Sequence, residues 1–186
     1  MNSRLLILIL AIASMGGFTW WVDRLTKELE DPSVTDQGDR MDFYMHDYHV
    51  SVTNEAGALL YEASGTHLEH WQKSEEVIVT NPRLTFYPEE GPPVYLRSES
   101  GFVPQGAKTV ELRGEVVLDR EAYGTHDSLH AVTSNMTIWP EEERGHTDEF
   151  AYAEGKRYRA EGTGMTIDLA ARTLELHSKA RGTYEN

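Results

Sequence analysis

Along residues 108–120 the chain reads KTVELRGEVVLDR, and Val110, Leu112, Val116 and Leu118 fall on one parity with Gly114 in line between them. Thr109, Glu111, Arg113, Glu115 and Asp119 fall on the other, and only Val117 breaks the pattern. A period of two predicts a strand with one apolar and one polar face. Weaker segments of the same kind surround it from Met41 onward. Tyr48, Val50 and Val52 alternate, Asn54-Glu55-Ala56-Gly57 supplies a turn, and Leu59, Tyr61 and Ala63 alternate again, which predicts a hairpin. Val77 and Val79 lead into Asn81-Pro82, after which Leu84 and Phe86 continue; the proline predicts an edge or a bulge there.

Residues 88–93 read as a turn, and Val94, Leu96 and Ser98 begin a strand expected to stop at Gly101. Val132, Ser134, Met136 and Ile138 form one row, closed by Pro140 and a charged turn over 141–145. Segments 147–152 and 156–161 flank Ala153-Glu154-Gly155 as a further hairpin, Gly162 and Gly164 interrupt before Met165 and Ile167, and Leu174 and Leu176 lead the last strand. With a strand about every 10–15 residues and no amphipathic helix between them, the pattern is that of an all-β sandwich or roll, and no βαβ unit is visible.

Residues 5–22, LLILILAIASMGGFTWWV, carry no charge and stand between Arg4 and Asp23. As a helix this run spans roughly 27 Å, enough to cross a bilayer once. Arg4 before it and Trp20 and Trp21 at its far end predict an N-terminus in the cytoplasm and the remainder outside. Ala11-Ile12-Ala13 also fits a signal-peptidase pattern, although the apolar core before it is shorter than such regions usually are. The division expected is therefore a cytoplasmic N-terminus and transmembrane helix over 1–22, a charged tether over 23–40 containing Pro32 and Gly38, and a β domain over 41–186.

The 186-residue chain has no cysteine, so disulfides and thiolate metal sites are excluded, and its net charge of −14 repels a phosphate backbone and argues against nucleic-acid binding. There is no G-x-S-x-G, P-loop or H-E-x-x-H pattern, and Glu141, Glu142 and Glu143 sit in a turn as a solvated charge run. His46 with His49 and His67 with His70 are spaced three apart, which on strands directs the two rings of each pair to opposite faces, so no metal site, no cofactor and no catalysis are expected from these spacings. The inward parity mixes aliphatic residues with Thr, Ser, Gly and Tyr. Such a set fills a core poorly and is compatible with an apolar groove in a curved, partly open sheet pair.

Several segments resemble, in order and spacing, the LptC family of lipopolysaccharide export proteins. They are Asp42-Phe43-Tyr44, Gly57-Ala58-Leu59-Leu60-Tyr61, Asn81-Pro82-Arg83-Leu84-Thr85-Phe86-Tyr87, Val110-Glu111-Leu112-Arg113-Gly114-Glu115-Val116, Gly162-Thr163-Gly164-Met165, Leu174-Glu175-Leu176 and Arg181-Gly182-Thr183-Tyr184-Glu185. The resemblance implies a twisted, open β-jelly-roll of the OstA/LptA type behind a single N-terminal transmembrane helix in the cell inner membrane. It implies a non-enzymatic protein that receives lipopolysaccharide from the LptB–LptF–LptG transporter and passes it to periplasmic LptA. A soluble LptA-like bridging protein released after Ala13 is the alternative. The inward-parity residues expected to line the lipopolysaccharide groove are Tyr48, Val50, Leu59, Tyr61, Val79, Leu84, Phe86, Val110, Leu112, Val116, Leu118, Met136, Ile138, Leu174 and Leu176. The edges expected to meet partners carry Phe43, Tyr44 and Val52 towards the transporter and Arg181, Gly182 and Tyr184 towards LptA. At Gly114 the missing side chain is expected to leave room for a ligand or for a close-packed neighbour.

Overall fold

Among the described residues ten strands follow one another by short turns. The computed structural model describes residues 40–106 and 108–185, all within the unit Asp39–Asn186. The strands are β1 (Met41–Thr53), β2 (Leu59–Trp71), β3 (Glu76–Thr80), β4 (Arg83–Phe86), β5 (Val94–Val103), β6 (Val110–Arg120), β7 (Leu129–Trp139), β8 (Arg144–Glu154), β9 (Tyr158–Asp168) and β10 (Thr173–Tyr184), with one 3-10 turn at Pro140–Glu142. Between β1 and β2 the Asn54 side chain accepts hydrogen bonds from the amides of Ala56 (3.0 Å) and Ala58 (2.9 Å), which closes the turn. Among the described residues no helix is long and apolar enough to cross a membrane; the expected helix over 5–22 and most of the tether lie outside the described residues.

The strands form a single antiparallel meander in the order β1-β2-β3-β5-β6-β7-β8-β9-β10, with β4 paired to β2 and β5. Strands β3 and β4 are two halves of one interior strand, broken at Asn81 and Pro82. The proline therefore marks a break inside the sheet and not an edge. Strand β5 runs on through Gly101 to Val103 and β9 runs through Gly162 and Gly164. β1 and β10 do not pair with each other, so the sheet stays open.

The break at Asn81 belongs to a line that crosses the sheet. Asp47 in β1, Asn81 between β3 and β4, Gly114 in β6, Asn135 in β7, Gly164 in β9 and Lys179 in β10 all have φ between 50° and 80°. The ladders slip at matching places in β5 between Ser98 and Ser100 and in β8 between Thr147 and Phe150. Left-handed residues and bulges bend a strand sharply. Repeated in most of the strands, they fold the sheet upon itself along one line; β3 and β4 end on either side of it, and β2 crosses it without a left-handed residue of its own.

The fold line changes the expected faces. In β7, Asn135 shifts the parity by one: Leu129, Ala131 and Thr133 are buried before it, Met136 and Ile138 after it, and Val132 and Ser134 turn outward. The single row expected from Val132 to Ile138 is thus two rows of opposite parity.

Between the layers lies one core. Leu84, Phe86, Val94, Leu96, Val116, Leu118, Leu129, Ala131, Ala151 and Ala153 line one side, and Leu112, Met136, Ile138, Met165 and Ile167 the other, with Leu169 in the following turn. Val94, Leu118 and Leu129 face Ile167 and Leu169 around a cavity of only about 10 Å³, at the lower limit for a single water. Near one end of the roll, Arg172 donates to the carbonyl of Glu90, tying the turn after β9 to the loop before β5.

Candidate lipid-binding interior and sheet edges

Register carries the apolar row from strand to strand. Val50 pairs with Ala63, Ala63 with Leu84, Leu84 with Leu96, Leu96 with Leu118 and Leu118 with Ala131. Ala131 pairs with Ala153, Ala153 with Ala160 and Ala160 with Gly182. Side chains opposite one another on paired strands share a face, so one row runs from edge strand to edge strand, with large residues in the middle and small ones towards β10.

The residues expected to line the groove fall into four environments. Val79, Leu84, Phe86, Leu112, Val116, Leu118, Met136 and Ile138 are buried in the core, each at most 6% exposed. Tyr61, Val110, Leu174 and Leu176 are half-buried against that core and form its rim, and Leu59 is half-buried nearby. Val50 is 45% exposed on the edge strand. Tyr48 lies over Gly65, where an added Cβ would sit 2.7 Å from the tyrosine ring. It lines a separate polar cleft of about 530 Å³ along the fold line, with Asp47, Arg83, Arg97 and Glu99.

Other residues of the interior carried no clear sequence signal. Ala131, Ala151 and Ala153 are at most 1% exposed, yet alanine is too small to mark a parity by hydrophobicity. Met165 and Ile167 were legible as a strand start, but Gly164 ahead of them hid that they continue the strand from Tyr158. Val117, the one apolar residue on the polar parity of β6, is only 3% exposed, but it lines the polar cleft and not the core.

Gly114 has the close-packed neighbour expected of it, the Glu99 side chain of β5. Its φ is +80°, and a Cβ there would fall 2.3 Å from Glu99 Oε2. Its amide donates to Asn135 Oδ1 at 3.3 Å, so two residues of the fold line hold each other. The room expected for a ligand is filled by a carboxylate, because the position answers to backbone conformation.

The buried hydroxyls of Thr133 and Thr147 donate to backbone carbonyls, and the titratable groups with shifted pKa stand nearer the rim. Burial raises the Tyr61 phenol, and Glu141 adds to the rise; burial likewise raises Tyr158 against the nearby Arg120. Glu143 is raised above the ordinary glutamate range by burial, then by the charges of Asp168 and Glu89. Phe43, Tyr44 and Tyr184 are exposed at 46%, 56% and 61%, Val52 is half-buried, and Arg181 and Gly182 are exposed. These residues lie on β1 and β10, each of which is paired on one side among the described residues.

The model of the lipopolysaccharide-assembly, LptC-related family matches residues 6–185. The chain belongs to the LptC family. Membership gives it a role in lipopolysaccharide assembly, in agreement with the segments that carried the resemblance. No curated protein matches it in sequence. Among solved structures it is similar to LptH of Pseudomonas aeruginosa, described as the LptA-homologous periplasmic component of the conserved lipopolysaccharide transport device, with a TM-score of 0.50 and 10% identity over 83% of this chain and 100% of that one. At that identity the likeness concerns the fold: an open antiparallel roll is common to this LptC-family chain and LptH.

Proposed function

We propose that this LptC-family protein is a non-enzymatic carrier that holds the acyl chains of lipopolysaccharide against the apolar row between its two sheet layers. The observation that carries this reading is the half-buried rim of Tyr61, Val110, Leu174 and Leu176 on an otherwise closed core, in a sheet whose end strands do not meet. Each methylene withdrawn from water onto such a surface gains about 0.8 kcal/mol, while sugars and phosphates remain solvated outside. The acidic outer faces do not oppose this, since they meet the headgroup and not the tails.

In this reading residues 5–22 anchor the chain in the inner membrane by a single pass, 23–40 tether it, and 41–186 work in the periplasm. β1, with Phe43, Tyr44 and Val52, faces the LptB–LptF–LptG transporter, and β10, with Arg181, Gly182 and Tyr184, faces LptA. Both contacts extend the sheet by strand addition at an unpaired edge. Ala11-Ile12-Ala13 favours the second reading, a released bridging protein, and a mature N-terminus at Ser14 in intact-protein mass spectrometry would establish it.

A photoreactive residue at Leu174 or Tyr61 should crosslink to lipopolysaccharide, while one at Tyr95, which is 49% exposed and points away from the core in register with Thr85 and Asp119, should not. Equal crosslinking at Tyr95, or none at any inward position, would overturn the carrier reading.

A further inference from the structure

Beyond lipid carriage, and independent of it, the structure assigns a site for a divalent transition-metal cation to the cross-strand pair His46 and His67. Spacing along each strand separates histidines, but register joins them: His46 in β1 lies directly opposite His67 in β2. Their Nδ1 atoms are 3.3 Å apart, closer than their ring centres at 4.7 Å, so the δ-nitrogen sides of the rings converge. Two imidazole nitrogens bound tetrahedrally to Zn²⁺ at about 2.05 Å are themselves separated by about 3.3 Å. The pair already has the bite of a chelate.

The second nitrogen of His67 supports the assignment. Its Nε2–H donates to Glu69 Oε1 at 3.1 Å, which leaves Nδ1 with a free lone pair. Metal-bound histidines commonly hold their other nitrogen on a carboxylate in this way, and the carboxylate raises the basicity of the ligand. Without metal, His46 Nδ1–H donates to His67 Nδ1. With metal, His46 takes its other tautomer, its proton on Nε2, and both Nδ1 lone pairs bind the cation without net proton release. Among the described residues no three His, Asp or Glu side chains are grouped to hold a metal, so solvent completes the coordination, and Cu²⁺ binds more tightly than Zn²⁺ by the general order of divalent affinities. Tyr44 shields one flank, its ring 5.5 Å from His46 and 5.9 Å from His67.

The position gives the site a physical effect. Among the described residues β1 is an edge strand paired only with β2, and a cation shared between the two strands pins its middle, next to the bend at Asp47.

The test titrates the full chain with Cu²⁺ and Zn²⁺. One equivalent of Cu²⁺ should show an electron paramagnetic resonance spectrum with coupling to two imidazole nitrogens. His46→Gln and His67→Gln should each weaken binding at least tenfold, with the double variant little worse than either, and Glu69→Gln should weaken it by about 10–100-fold. His146→Gln, at the other end of the sheet, should leave it unchanged. Zn²⁺ at ten times its Kd should raise hydrogen-exchange protection of β1 amides about tenfold. No saturable binding, coupling to a single nitrogen, or affinity unchanged in both His46→Gln and His67→Gln would overturn the assignment. The nitrogen count on the unaltered chain decides even if a variant folds poorly.

Discussion

Replacing Gly114 by alanine isolates the fold line from every other feature of the protein. The residue holds φ at +80°, and its new Cβ would meet Glu99 at 2.3 Å from Oε2 and 3.0 Å from Cβ. The carboxylate is the far end of a flexible, exposed side chain and can swing away, whereas the Glu99 Cβ is fixed to β5. A non-glycine residue in the left-handed region costs roughly 1–2 kcal/mol, and alanine returns about 0.4–1 kcal/mol by restricting the unfolded chain. With the crowding at Glu99 added, the net loss should be about 1–2 kcal/mol, or a fall in Tm of about 3–8 °C for a domain of this size. Gly114→Asn should lose less, because asparagine tolerates this conformation and already occupies it at Asn81 and Asn135 with φ of 50° and 52°. Urea and thermal unfolding read the difference, and crosslinking from Leu174 reads the interior in the same variants. Wild-type stability in Gly114→Ala, or a larger loss for asparagine than for alanine, would refute the backbone argument. Loss of glycolipid crosslinking without loss of stability would return Gly114 to the groove.

Other expectations follow from the packing and the charges. Leu112→Ala removes a side chain that is 1% exposed and should cost about 2–5 kcal/mol in urea unfolding. Ala153→Leu puts three more carbons into a position with 0% exposure and should cost about 1–3 kcal/mol by overpacking. Glu143 is raised in the folded state by burial and by Asp168 and Glu89, so its ionisation destabilises the fold as pH rises above the unfolded glutamate value of about 4.3. Glu143→Gln should therefore be more stable than wild type at pH 7, with the advantage shrinking as pH falls through the glutamate range; an equal advantage at low pH would contradict the sign. Photocrosslinking at Leu174 and Tyr61 against Tyr95 tests the carrier reading as set out above.

The alternation in β6 made its two faces legible from sequence, and the Asn54–Gly57 turn made the first hairpin legible, because both depend on neighbours in the chain. The break at Asn81-Pro82 was legible as an irregularity but not as a place within the sheet, since its position depends on strand order. The left-handed residues Asp47, Asn135 and Lys179 left no trace in a period-two reading. Asn135 in particular turned one apparent row into two. Of the candidate site, the large aliphatic positions were legible and Ala131, Ala151 and Ala153 were not, because their contribution is the space they leave. The pairing of His46 with His67 was hidden for the same reason as the break: it exists only across strands.

The bend recurs strand by strand instead of being built from a corner loop, and this gives the architecture no natural length. Most strands carry their own left-handed residue or bulge, and β2 follows its neighbours across the line without one. A closed barrel fixes its circumference by strand count, whereas this sheet leaves its end strands β1 and β10 apart. Its cross-section is set once, by where the crease falls in each strand, and its reach is left to however many strands are laid side by side.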